Sequence, residues 1–130
     1  AAPGAANASL RDDMTRAVET LKRRREFLRV TRAHLSSPAR GLVLQACVSD
    51  TISKKVRVGF TASRKVGNAV KRNRARRRLR AAVEKVMPLH SAAGYDYVVI
   101  ARAGTVERSF GALTRDLETA LKRLDVWREE

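Results

Sequence analysis

The sequence predicts an α/β (α+β) two-layer sandwich, a small mixed sheet with helices packed on it. Three observations predict this class. Leu42–Val48 and Lys55–Ala62 alternate apolar and polar residues with the period of half-buried strands. Tyr95–Ala101 (YDYVVIA) is apolar almost throughout, as a central strand is. Elsewhere the apolar residues recur at helical spacing, as Ala75, Leu79, Ala82, Val83 and Val86, and again as Phe110, Leu113, Leu117, Leu121 and Leu124.

Taken in order, residues 1–16 are expected to form a flexible extension, residues 17–126 a single domain and residues 127–130 a tail in which Trp127 frays. A first helix is expected from about Ala17, with Val18, Leu21, Leu28 and Val30 as apolar contacts, ending in a loop at Ser36, Ser37, Pro38 and Gly41. In the first strand Leu42, Leu44, Ala46 and Val48 share one face, while Val43, Gln45 and Cys47 share the other. Turn residues Ser49, Asp50 and Thr51 suggest that this strand and the next form a hairpin, with Val56, Val58, Phe60 and Ala62 inward. Gly67 and Asn68 then suit a turn and a helix N-cap. The helix runs to about Val86 and Pro88 marks its stop. Residues 90–94 form a loop before the central strand, and Ser109 caps the last helix, whose Phe110 is expected to pack in the core. The order is helix, strand, strand, helix, strand, helix. With one further short strand admitted before the basic helix it reads α-β-β-(β)-α-β-α.

Charge is the strongest functional signal. The 130 residues carry 28 Lys and Arg against 13 Asp and Glu, a formal net charge of +15. That excess makes a nucleic acid the leading partner class. An anionic membrane is less suited, because the apolar stripe opposite the charge is built of Ala, Leu and Val, which fits packing on a sheet. The charge concentrates in Ser63–Arg80 (SRKVGNAVKRNRARRRLR), where half of the residues are Lys or Arg and none is acidic. Such a block repels itself unless an anion lies against it. Its preference for Arg suits forked contacts to phosphate and folded RNA over a base-by-base code.

Self-contained catalysis is disfavoured. His34 and His90 are the only histidines and neither has a ligand-like neighbour; Asp12, Asp13, Glu118, Glu129 and Glu130 lie near the termini. Asp96, inside the central strand, reads as the structural partner of an arginine. No phosphate-binding glycine loop and no nucleophile–base set is present. No catalytic residue and no metal ligand are therefore expected of this chain. Cys47 is the only cysteine, which excludes an internal disulfide and suits a reducing compartment. Without a membrane-length apolar run or a signal-peptide pattern, a cytoplasmic protein is expected. Of the aromatics, Phe60, Tyr95 and Tyr97 read as packing residues, while Phe27, which interrupts a basic stretch, reads either as another packing residue or as one that stacks a base.

Val66–Arg80 (VGNAVKRNRARRRLR) closely resembles the signature of the protein subunit of bacterial ribonuclease P, with Arg72-Asn73-Arg74 matching its Arg-Asn-Arg motif. Leu21–Val30, Gly41–Ala46, Val56–Lys65 and Asp96–Arg102 continue the resemblance in order. The resemblance implies a left-handed crossover between parallel strands through the basic helix, against the usual hand. It implies a protein that joins a catalytic RNA in removing the 5′ leader from precursor tRNA, an accessory to an endoribonuclease whose magnesium-dependent chemistry belongs to the RNA. No cofactor is then held tightly by the protein, and no obligate protein partner is evident. By motif position Arg72, Asn73, Arg74, Arg76, Arg77 and Arg80 are expected to meet the catalytic RNA, supported by Arg64, Lys65, Asn68 and Lys71. Phe27 matches a position of the leader cleft; Thr31 and Gln45 fall where some members carry aromatics, which favours hydrogen bonding over stacking here. The alternative is another structured-RNA-binding protein, such as a ribosome-associated one.

Overall fold

The computed structural model describes residues 18–49 and 56–129. The extension expected over residues 1–16, the turn residues Asp50 and Thr51 and the first residue of the second strand, Lys55, lie outside them. The elements are β1 (Val18–Thr20), α1 (Arg24–Arg32), β2 (Leu35–Pro38), β3 (Leu42–Val48), β4 (Val56–Thr61), a 3-10 turn (Arg64–Val66), α2 (Ala69–His90), β5 (Tyr95–Ala101) and α3 (Phe110–Arg123). The strands form one mixed sheet in the order β1-β4-β5-β3-β2.

β5 takes the middle of the sheet because it can be buried on both faces. Tyr97 and Val99 point into the main core and Val98 into a smaller one, and all three are buried. It pairs antiparallel with β3, Ala46 opposite Tyr97, and parallel with β4, Phe60 opposite Val99. β3 and β4 are therefore separated by β5, and the expected hairpin does not form. Alternation fixes which face of a strand is apolar but carries no information about its neighbour. β4 and β5 are adjacent and parallel, so the chain crosses between them through α2.

The main core lies between one sheet face (Leu42, Leu44, Val58, Tyr97, Val99) and the apolar stripes of α2 (Ala75, Leu79, Ala82, Val83, Val86) and α3 (Leu113, Leu117, Leu121). These are the helical stripes that the spacing predicts. The other sheet face carries α1 over Leu21, Val30, Cys47 and Val98.

Several boundaries differ from expectation. The first helix begins at Arg24 and not near Ala17, because Val18–Thr20 adds to the sheet edge beside β4, Val18 opposite Val56. A Glu26 carboxylate accepting from the Arg23 and Lys22 amides sets the later start. Leu35–Pro38, which contains Ser36, Ser37 and Pro38 of the expected loop, pairs with β3 as an edge strand, which tolerates proline at its end. Pro88 does not stop α2. The helix closes one turn later, where the Ser91 amide and hydroxyl both donate to the Met87 carbonyl. Phe110 is exposed rather than packed, since the buried stripe of α3 starts only at Leu113. Trp127 does not fray: its ring stacks on His90 with centroids 4.4 Å apart, next to a bridge between Ser91 and Trp127.

Candidate nucleic-acid interface

The basic stretch folds into a capped helix because its first residues supply what a helix start lacks. Ser63 Oγ accepts from the Lys65 amide to open the 3-10 turn, which leaves Arg64 and Lys65 exposed. Gly67 follows at φ 140°, a conformation suited to glycine. Asn68 Oδ1 then accepts from the Lys71 amide at 2.9 Å, the expected N-cap. With Val66 and Ala75 anchored in the core, the helix turns its cations outward.

Two shallow grooves run along that outer surface. Val70, Asn73, Arg76, Arg77 and Arg80 line one, and Arg74, Arg77, Arg78, Ala81 and Phe110 line the other, so Arg77 forms the ridge between them. Lys71, Arg74, Arg77 and Arg80 are exposed, and Arg72 and Arg76 are half-buried. Among the described residues none of these six forms an ion pair with a carboxylate. Asn73 Oδ1 accepts from Arg76 Nη2 at 2.5 Å, which holds that guanidinium in place. Arg80 lies over the Phe60 ring, 5.5 Å from its centroid. Arg78 differs from its neighbours. It donates to the Val106 carbonyl at 2.7 Å and to the Arg108 carbonyl, and so ties α2 to the loop before α3. The structure thus brings Arg72, Asn73, Arg74, Arg76, Arg77 and Arg80 onto one helix, with Arg64, Lys65, Asn68 and Lys71 at its entrance. The capture of Arg78 was invisible in the sequence, because its acceptors are main-chain carbonyls some 30 residues away.

A second surface lies on the opposite face of the sheet, beside α1. Phe27 and Thr31 occupy successive turns, and Thr31 Oγ1 donates to Gln45 Oε1 at 3.3 Å. Phe27 is half-buried, its ring edge against Gly59 of β4 with Ile100 in the same cluster. Gly59 makes that seat: a Cβ there would lie 2.5 Å from Phe27 Cζ. Gly59→Ala is expected to push the ring off the sheet and to cost about 1–3 kcal/mol of stability as overpacking does. A denaturant midpoint and the structure of the variant would check it; an unchanged midpoint with the ring in place would contradict the seat.

Beneath α1, Arg57 holds Asp96 with two bonds (Nε–Oδ1 2.8 Å, Nη2–Oδ2 2.6 Å) and reaches Glu26 Oε2 at 2.9 Å. Arg29 adds a bond to Asp96 Oδ2 at 2.5 Å and one to the Val48 carbonyl. Asp96 is fully buried. Burial pushes its carboxyl upward, but the hydrogen bonds and charges of Arg57 and Arg29 outweigh this and hold it below the ordinary range. The arginine partner expected for Asp96 is thus present twice. Among the described residues no three His, Cys, Asp or Glu side chains gather as a metal site would require. No helix of the described residues is long and apolar enough to cross a membrane.

Comparison with known proteins agrees with this geometry. A family model described as Ribonuclease P matches residues 15–125. The ribonuclease P protein component of Paramagnetospirillum magneticum is 51% identical over 114 residues, 85% of this chain and 86% of that protein. That of Gluconacetobacter diazotrophicus is 49% identical over 106 residues, 82% of this chain and 90% of its own. Among solved structures, the RNase P protein of Staphylococcus aureus superposes with a TM-score of 0.70 at 30% identity, covering 84% of this chain and 97% of the other. That of Thermotoga maritima gives 0.68 at 28%, covering 81% and 96%. With sequence and fold in agreement, the chain belongs to the ribonuclease P protein component family.

Proposed function

We propose that this chain is the protein subunit of a ribonuclease P ribonucleoprotein. It binds the catalytic RNA through the outer surface of α2 and the 5′ leader of precursor tRNA beside α1, and assists the endonucleolytic cut that forms the mature tRNA 5′ end. The observation that carries the reading is the outer face of α2, whose cations Lys71, Arg72, Arg74 and Arg77 have no carboxylate partner among the described residues. Cations presented this way gain most from a polyanion, because phosphate contacts release condensed counterions. Arg74, Arg76, Arg77 and Arg80 offer guanidinium forks to phosphate oxygens, with Arg76 pre-set by Asn73. The cap at Asn68 and the turn carrying Arg64 and Lys65 position the start of this surface.

The leader reading rests on the second surface. Phe27 offers the exposed part of its ring to a base, and the Thr31–Gln45 pair offers polar edges to a single strand. Magnesium, in this reading, would be held by the RNA, and the magnesium-dependent chemistry would belong to the RNA and not to this chain. The protein's share is to bind and orient two RNAs in the cytoplasm.

The test is reconstitution. Purified protein, the ribonuclease P RNA of Paramagnetospirillum magneticum and a precursor tRNA are combined at magnesium too low for the RNA alone. Cleavage is expected only with both macromolecules present. Cleavage by the protein alone, or a rate indifferent to the protein, would overturn the reading.

A further inference from the structure

Phe110 is 39% exposed, and it sits inside the cationic surface of α2 rather than apart from it. Arg74 and Arg77 line the same groove as its ring, and Lys85 Nζ hangs 5.7 Å from the ring centroid. We propose that Phe110 is a stacking platform for one unpaired base of the RNA that α2 binds. The inference rests on the RNA-binding reading above and adds a base contact to a surface otherwise made for phosphates.

The ring is held in place by features around it. Ser109 caps α3, its Oγ accepting from the Ala112 amide at 3.2 Å. The two carbonyls that Arg78 grips belong to Val106 and Arg108, just before that cap. The helix bearing the phosphate-facing arginines therefore also fixes the loop that presents Phe110. Ala81, a small side chain, lines the same groove and leaves the ring accessible.

The chemistry selects the occupant. An exposed ring with Lys85 over it and Arg74 and Arg77 in the same groove is complementary to a flat apolar group joined to an anion, which is what a nucleotide is. A purely aliphatic partner would leave the cations without a counter-charge, and a duplex backbone would leave the ring without a partner. Every base offers a π-face, so the site requires an unstacked base and not a particular sequence.

Binding to the ribonuclease P RNA of Paramagnetospirillum magneticum, titrated at several salt concentrations, separates the possibilities. Phe110→Leu keeps an apolar side chain but removes the π-face, and Phe110→Tyr keeps both. The Leu variant is expected to bind about tenfold more weakly, the order of one base–aromatic stack. Its salt dependence and melting temperature should match those of the wild type, because no phosphate contact is lost. The Tyr variant should bind as the wild type does. Wild-type affinity in Phe110→Leu, equal losses in Leu and Tyr, or a loss matched by a lower melting temperature would each overturn the stacking role. Arg72→Ala with Arg74→Ala serves as the control. If that double variant alone is impaired, the RNA-binding reading stands and only the Phe110 inference fails. If none is impaired, the RNA-binding reading fails and takes the inference with it.

Discussion

Replacing Arg72 and Arg74 together by alanine is expected to weaken assembly with the catalytic RNA by roughly 100-fold. Two lost charge-assisted contacts at about 1.5 kcal/mol each sum to about 3 kcal/mol, and each 1.4 kcal/mol is tenfold in affinity. The slope of log affinity against log salt should fall by about 2, near one unit per lost phosphate contact. Stability should change little, since Arg74 is exposed and half-buried Arg72 has a buried Nε without a hydrogen-bond partner, so its removal breaks no bond or ion pair among the described residues. Relief of repulsion along the helix will, if anything, favour the fold. Arg78→Ala gives the contrast from the same helix. Its guanidinium is spent on the Val106 and Arg108 carbonyls, so its loss should lower the melting temperature and loosen the loop before α3. Filter binding across a salt series, with thermal melts of each variant, checks both. A double variant with wild-type affinity would remove α2 from the interface.

How far the sequence discloses this molecule depends on how local each cause is. The cap at Asn68, the apolar stripe from Ala75 to Val86 and the cap at Ser109 involve neighbours in the chain, and all are legible. β5 is legible for a different reason: only a strand buried on both faces reads YDYVVIA. Strand neighbours are not legible. β3 and β4 have the pattern of a hairpin, yet each pairs with β5, which arrives some 40 residues after β4 begins. β1 is hidden because three residues beside a basic helix carry too little pattern, and its pairing with Val56–Val58 is a tertiary fact. The same distinction governs the site. The arginine motif is local and legible as one capped helix, whereas the seat of Phe27 on Gly59 and the outward turn of Phe110 depend on packing between elements.

Asp96→Asn is expected to cost about 3 kcal/mol at pH 7, the order found when one partner of a buried ion pair is removed. For a domain with 5–15 kcal/mol in total that is a large share. The variant keeps an acceptor for one Arg57 bond but leaves Arg57 and Arg29 facing a neutral group in a largely dry site. Arg57 bears the larger share of the loss, since its side chain is 16% exposed against 34% for Arg29, and of its ion pairs described above it keeps only the one to Glu26. Acidity should erase the difference. The Asp96 carboxyl lies below its ordinary value in the fold, so its contribution is complete above the unfolded value of about 4. It is lost as pH falls through the lower folded value. Wild type and variant should therefore differ fully above the unfolded value and converge as pH falls below it, through the lower folded value. Because Asp96 joins Arg29 of α1 to Arg57 of β4, alongside the Glu26–Arg57 and Arg29–Val48 bonds, local opening should appear first in α1. Hydrogen exchange in Arg24–Arg32 that rises ahead of global unfolding would locate the effect there. A cost under 1 kcal/mol at pH 7, or one that persists unchanged into acid, would mean that the apolar contacts of Leu21, Phe27 and Val30 hold α1 without the buried charge.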